Sequence, residues 1–140
     1  MAWFTPRQPT LPELIENNGL WLADKPALEL GAARWTWRDF AAETARVAQA
    51  LARDGVRPGQ RVAVHMDNSA EMMLAMFGSI RAGAVAVPLN VSISDAAVAA
   101  MIADSDARAV FASAQHVPRI DALRDALPEG TKDRLIAADG

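Results

Sequence analysis

Residues 81–90 read RAGAVAVPLN, and this stretch decides the fold. From Gly83 to Pro88 the residues are small and apolar, without the alternation of a strand that has one solvated face. A parallel strand that is covered by helices on both faces needs such a run. Pro88 has no backbone N–H to donate, so it marks the end of the strand or an edge of the sheet. We therefore expect a buried parallel strand that ends near Pro88.

Helical patterns lie directly before and after this strand. SAEMMLAMFGSIRA at residues 69–82 precedes it, with Asn68 as the candidate N-cap, and ISDAAVAAMIADSDA at residues 93–107 follows it. Three further apolar runs predict strands: RVAVHM at 61–66, RAVFAS at 108–113 and DRLIAAD at 133–139. Strands that alternate with helices at short spacing favour a parallel sheet. The predicted fold class is α/β, a mostly parallel sheet with helices on both faces.

The first third of the chain has a different pattern. Residues 26–30 and 34–37 predict a hairpin, and residues 37–53 have apolar side chains at helical spacing after a candidate N-cap, Thr36. Before the hairpin, TLPELIENNGLWL favours a short helix. We divide the chain into an N-terminal helical segment, residues 1–22, and an α/β subdomain, residues 23–140.

Composition narrows the class of protein. Of the 140 residues, 51% are hydrophobic and 22% charged, which suits a packed core. The net charge of -3 does not suit binding to nucleic acid, which is itself negatively charged. Hydrophobic packing therefore explains Trp35 and Trp37 better than stacking on bases does. There is no cysteine, and no uninterrupted apolar run is long enough to span a membrane. We expect a cytoplasmic protein that binds no nucleic acid and has no membrane span.

Candidate functional residues follow the predicted strands, because ligands of open parallel sheets bind at the carboxyl ends of the strands. These positions are HMDNS at 65–69, LNVS at 89–92 and SAQH at 113–116. His65 lies among valines and fits a core position better than a catalytic one. His116 fits a surface loop, and neither histidine has a carboxylate at metal-ligand spacing, so no metal site is predicted.

The remaining candidates have simple structural explanations as well. Helix capping accounts for Asp67 and Asn68, and a turn accounts slightly better than a ligand contact for Asn90. The sequence contains no G-x-x-x-x-G-K phosphate loop, no dinucleotide fingerprint and no nucleophile elbow. The residues alone therefore predict a folded α/β module without a catalytic constellation, and no catalytic residue is assigned.

Six pieces of sequence, in order and at the right distances, resemble one family. They are PALEL at 26–30, TWRDF at 36–40, GVRPGQRVA at 55–63, NSAE at 68–71, AGAVAVPLN at 82–90 and DSDA at 104–107. Together they resemble the N-terminal part of the adenylate-forming (AMP-binding) superfamily, most closely its acyl-CoA synthetases and acid–CoA ligases. The resemblance runs from about residue 11 to about residue 113 and implies the first subdomain of that fold.

The resemblance implies a chemistry whose principal residues lie outside this sequence. Such enzymes use ATP and Mg to convert a carboxylic acid to an acyl-adenylate, and then transfer the acyl group to a thiol, usually that of CoA. Some members carry Asn-Pro-Arg where this chain has Asn90-Val91-Ser92, and the arginine approaches a CoA phosphate. Here Asn90 and Ser92 are the only candidate CoA-side contacts, and neither brings a charge.

We therefore predict an N-terminal fragment of an AMP-forming acyl-CoA synthetase for hydrophobic acids, inactive by itself and without a cofactor of its own. Its partners would be the downstream subdomains of the parent chain, and the exposed face would promote self-association. Two alternatives stay open: a stand-alone non-catalytic binding module, and a fragment of an amino-acid adenylation domain that serves a carrier-protein thiol.

Overall fold

A computed structural model describes residues 7–138; the first six residues of the predicted 1–22 segment, and the last two of the 23–140 subdomain, lie outside it. The helices are α1 Leu11–Trp21, α2 Trp37–Arg53, α3 Ala70–Arg81, α4 Asp95–Asp104, α5 Val117–Ala122 and α6 Glu129–Lys132. The strands are β1 Pro26–Leu30, β2 Ala33–Thr36, β3 Arg61–His65, β4 Val85–Pro88, β5 Ala107–Ser113 and β6 Leu135–Ala138. Two 3-10 turns lie at Ala114–His116 and Arg124–Ala126. The division of the chain at residue 22 stays a prediction.

The predicted parallel sheet is confirmed. Its four strands lie in the order β4-β3-β5-β6, and every neighbouring pair is parallel. Chain order reverses between β3 and β5, because β3 connects through α3 outward to β4 whereas β5 connects through α5 to β6 on the other side. The carboxyl ends of β3 and β5 therefore form the position at which open α/β sheets bind ligands.

Helices cover both faces of the sheet. On one face Val62 and Val64 of β3 pack with Leu51 of α2 and Ala75 of α3. On the opposite face Ala63 of β3 and Val110 of β5 belong to a second cluster. Its helical members are Val98 and Ile102 of α4 and Ile120 of α5. The alternation of β3 side chains between two apolar clusters explains why its sequence is continuously apolar.

The strand in residues 81–90 is less buried than we predicted. The end at Pro88 is confirmed, but β4 lies at an edge of the sheet, and Val85 is 50% exposed. Within residues 7–138 no strand covers the outer side of β4. The strands that are buried on both faces are β3 and β5.

A hairpin and a capped helix precede the sheet, as predicted. β1 and β2 pair antiparallel, and the Thr36 hydroxyl accepts a hydrogen bond from the backbone N–H of Asp39 in the first turn of α2. The predicted second strand of the hairpin, residues 34–37, is one residue too long at its end, because β2 ends at Thr36 and Trp37 begins the helix. Within residues 7–138 no helix is long and apolar enough to cross a membrane.

Candidate functional site at the carboxyl edge of the sheet

Two of the three predicted turns meet at the edge of the sheet. The turn after β3 contacts the turn after β5 through Asp67, whose backbone N–H donates to Ser113 Oγ at 3.1 Å. Gln115 donates from its side-chain amide to Asp67 Oδ2. The two segments are 46 residues or more apart in sequence, and the parallel pairing of β3 with β5 places them side by side.

Asp67 therefore joins the two turns instead of capping a helix. The cap of α3 is Ser69, whose hydroxyl accepts from the backbone N–H of Met72 at 3.0 Å, so the prediction of Asn68 as the cap is wrong by one residue. The hydrogen bond from Gln115 lowers the pKa of the Asp67 carboxyl, and the electrostatic interaction with the His116 imidazole lowers that pKa further against an opposing effect of burial. The carboxylate is thus held in its ionised form.

The two histidines, 51 positions apart, form a pair. Their ring centroids lie 5.1 Å apart, and His65 has no exposed surface. His116 Nε2 lies 2.8 Å from Asp67 Oδ2, so the carboxylate directly contacts the second imidazole of the pair. Burial lowers the pKa of His65, and electrostatic interactions with His116 and Arg119 lower it further.

Arg119 of α5 connects this pair to the third turn, and sequence reasoning missed it. Its Nη1 donates to the carbonyl oxygen of Val91 at 2.8 Å, and its Nη2 donates to the carbonyl oxygen of Ile93. Its Nε donates to Asp95 Oδ1 at 2.7 Å. The sequence offers no signal for this role, because Arg119 is one of several evenly spread arginines and its contacts are 24 or more positions away.

Asn90 and Ser92, the candidate CoA contacts, lie together in an exposed turn after β4. The side-chain oxygen of Asn90 accepts from the backbone N–H of Ser92 at 2.8 Å, which is an Asx turn. The groups that remain for a ligand here are neutral, namely the Asn90 amide N–H and the Ser92 hydroxyl. The nearby cation, Arg119, already donates to backbone carbonyls of the same turn. Their contact with CoA stays a prediction.

The edge as a whole suits binding and positioning. A cavity of about 240 Å³ lies beside it, lined by Met66, Asp67, Ser69, Glu71, Ser113 and Gln115. These side chains offer carboxylates, hydroxyls and an amide as hydrogen-bonding groups. In the described part of the chain no group of three or more His, Asp or Glu residues has the geometry of a metal site.

Comparisons with known proteins identify this fold. The family model described as "AMP-binding enzyme" matches residues 17–140. A 3-hydroxybenzoate–CoA ligase of Aromatoleum sp. is 40% identical over 94 residues, which cover 67% of this chain and 18% of that protein. The long-chain-fatty-acid–CoA ligase FadD13 of Mycobacterium tuberculosis is 37% identical over 107 residues, 76% of this chain and 21% of that protein.

More distant relatives and solved structures belong to the same group. Surfactin synthase subunit 1 of Bacillus subtilis is 31% identical over 103 residues, 74% of this chain and 3% of that protein. The crystal structure of the anthranilate CoA ligase AuaEII in complex with anthranoyl-AMP superposes with a TM-score of 0.86 at 27% identity, covering 96% of this chain and 26% of that one. The chain spans about a fifth of the length of the CoA ligases that it matches. The predicted resemblance is confirmed, and the chain belongs to the family of AMP-binding enzymes.

Proposed function

We propose that this chain is the N-terminal part of an AMP-forming acid–CoA ligase. The observation that carries the proposal is the identity of 37–40% to two acid–CoA ligases over most of the chain. The whole protein would convert a carboxylic acid and ATP to an acyl-adenylate and pyrophosphate, and would then form a thioester with CoA and release AMP. ATP, Mg and CoA are the cofactors that we propose for the whole protein.

Within that protein the role of residues 1–140 would be structural. The 140 residues contain no phosphate-binding loop, so we propose that the phosphate and adenine sites belong to downstream subdomains. The parallel sheet would support one wall of the active-site region, with its carboxyl edge toward those subdomains. The chain alone would then be inactive, because it binds neither the nucleotide nor the metal ion.

We propose that the substrate is a carboxylic acid whose carboxyl group is attached to an aromatic ring or an aliphatic chain. The support comes from the relatives, one of which is a ligase of 3-hydroxybenzoate and another a ligase of long-chain fatty acids. Both of these acids carry their carboxyl group on a largely apolar group, an aromatic ring in one and an aliphatic chain in the other. Anthranilate, in the name of the structural neighbour, belongs to the same chemical class.

The alternative acceptor is a carrier-protein thiol, as in peptide synthetases. Surfactin synthase subunit 1 matches the same part of the fold at 31% identity, below the 37–40% of the two CoA ligases. This difference favours CoA. The discriminating test is to incubate the full gene product with ATP, Mg and benzoates or fatty acids. Formation of an acyl-CoA would support the proposal, whereas acyl transfer only to a phosphopantetheinylated carrier would overturn the choice of acceptor.

The other alternative, a stand-alone binding module, is tested by the mass of the natural product. An antibody raised against this chain would detect a protein much heavier than 15.0 kDa in cell extracts if the proposal is right. Detection of a 15.0 kDa product alone, from a transcript that encodes nothing downstream, would favour the binding module.

A further inference from the structure

His65 is a buried histidine that the proposed ligase chemistry leaves without a role. It ends β3, has no exposed surface, and its Nδ1 has no hydrogen-bonding partner in the part of the chain that the structure describes. An unsatisfied polar atom in the interior costs free energy, so its presence calls for a physical reason.

Arg119 faces one ring nitrogen of His65 and favours one tautomer of the ring. The Nη1 atom of Arg119 lies 3.4 Å from His65 Nε2. A guanidinium has only donors, so Nε2 must present its lone pair and the proton of the neutral ring must lie on Nδ1. A protonated His65 would instead direct an N–H at the N–H of a neighbouring cation. The contact therefore favours the neutral form of His65.

The charged and titratable groups around His65 act on its pKa in both directions: two carboxylates raise it, whereas a second imidazole and a guanidinium lower it. They are Asp67 after β3, His116 in the 3-10 turn, Asp95 at the start of α4 and Arg119 on α5. Asp67 is engaged by Gln115, and Asp95 is engaged by Arg119. Burial is the largest cause that lowers the pKa of His65, and the charges of His116 and Arg119 act in the same direction.

Arg119 also holds the segment between β4 and α4. Its guanidinium donates to the carbonyl oxygens of Val91 and Ile93 and to the Asp95 carboxylate, while Nη1 also faces His65. Val91 and Ile93 are half-buried beneath a side chain that is 22% exposed. Displacement of Arg119 would remove these three hydrogen bonds together.

We propose that His65 and Arg119 form a pH-sensitive latch on residues 91–95. While His65 is neutral, it accepts from Arg119, and Arg119 holds the segment against the carboxyl edge of the sheet. Protonation of His65 expels the guanidinium and releases the segment. The proposal requires neither a particular acid substrate nor a particular acyl acceptor.

The direction of the pH effect on release follows from the difference in the pKa of His65 between the two states. In the released state His65 is hydrated and titrates near its ordinary pKa of 6.5, whereas in the latched state the pKa is lowered. The released state therefore binds more protons, and release becomes more favourable as the pH falls below 6.5. Each pH unit below 6.5 shifts the equilibrium by at most about tenfold, so we expect opening to increase by up to about tenfold between pH 7.5 and pH 5.5.

Amide hydrogen exchange of the 140-residue chain measures this opening directly. The amides to follow are those of Ala97 and Val98, whose backbone N–H groups donate to Ser94 in the held segment. Their protection factors, corrected for the intrinsic pH dependence of exchange, should fall by up to about tenfold between pH 7.5 and pH 5.5. In His65→Gln, whose neutral amide oxygen still accepts from Arg119, they should stay constant. The matched control His116→Gln should keep most of the fall, because burial is a larger cause of the lowered His65 pKa than His116 is. Constant protection in the wild type, the same fall in His65→Gln, or a loss of the fall in His116→Gln would each overturn the proposal.

A second measurement needs no variant. The ¹⁵N chemical shifts of the His65 ring at pH 7.5 report its tautomer, and we expect the proton on Nδ1 and a lone pair on Nε2. A proton on Nε2 would overturn the proposal, because the ring could then not accept from Arg119.

Discussion

Gly78 of α3 shows how closely the helices on one face of the sheet approach each other. A Cβ atom at this position would lie 2.4 Å from both Cβ and Cγ1 of Val47 in α2. Real Cβ atoms do not approach other carbons so closely, and Val47 Cβ is fixed to its backbone. Only glycine allows the observed distance between α2 and α3.

Gly78→Ala should therefore destabilise the protein, although alanine favours helix by about 1 kcal/mol over glycine. Overpacking costs about 1–3 kcal/mol, so we expect a net loss in the free energy of unfolding of up to about 2 kcal/mol. Urea unfolding followed by circular dichroism measures it. The matched control is Ala50→Gly on the exposed side of α2, which reports the helix propensity alone. If Gly78→Ala were more stable than the wild type, α2 and α3 would not be in this contact.

Single residues at the carboxyl edge were only partly predictable. His65, His116 and Asp67 were identified as candidates because they follow apolar runs, but their contacts with one another depend on the order of β3 and β5 in the sheet. That order is a tertiary property which periodicity does not encode. Ser69 caps α3 instead of Asn68 because both residue types are good caps and the sequence does not distinguish adjacent positions.

Arg81 connects three helices at the scale of whole elements. From the end of α3 its Nη1 donates to the carbonyl oxygen of Ala41 and, at 3.0 Å, to Thr44 Oγ1, both in α2. Its Nη2 forms an ion pair with Glu16 of α1 at 2.9 Å. The Arg81 side chain is only 11% exposed, whereas that of Glu16 is 57% exposed. The contacts with α2 are thus protected from solvent, and the ion pair with α1 is screened.

This difference in exposure to solvent predicts that substitutions of Arg81 and Glu16 lower the free energy of unfolding by different amounts. Arg81→Met keeps the apolar stem but removes charged donors from buried acceptors, and should lower the free energy of unfolding by about 2 kcal/mol. Glu16→Gln removes only the screened ion pair, and should cost less than about 1 kcal/mol. The midpoints of urea unfolding of the two variants and the wild type measure these two losses. Equal losses, or a larger loss in Glu16→Gln, would show that the ion pair and not the buried hydrogen bonds holds the helices together.

Secondary structure followed from the sequence wherever periodicity and caps agreed. Helix α2 is an example, with Thr36 as its cap and buried residues at Phe40, Thr44 and Leu51. Burial of β4 was overestimated, because a short run of small apolar residues suits a central strand and an edge strand equally. The position of a strand within its sheet is set by connections elsewhere in the chain.

At the scale of the whole molecule, an apolar surface lies at the end of α1. Leu20 is 75% exposed and Trp21 is 82% exposed, and Leu22 follows them at 42%. Apolar side chains that are exposed next to one another mark surfaces that other protein covers. The chain spans about a fifth of the CoA ligases that it resembles, so we propose that the rest of the parent protein covers this surface.

The isolated chain should accordingly self-associate. Sedimentation velocity over a range of concentrations should show a rising weight-average mass for the wild type, and Trp21→Ser should reduce that rise. Arg53→Ser, on an exposed position of α2 away from this surface, is the control and should behave as the wild type. A strictly monomeric wild type at high concentration would count against the prediction.

The central claim is that these residues form the supporting part of an acid–CoA ligase whose activation chemistry lies downstream. ATP–pyrophosphate exchange tests it most directly, with the 140-residue chain and the full gene product measured side by side on benzoates and long-chain fatty acids. We predict acid-dependent exchange by the full product and none by the isolated chain. Acid-dependent exchange by the isolated chain, or none by a folded full product with any acid, would contradict the account.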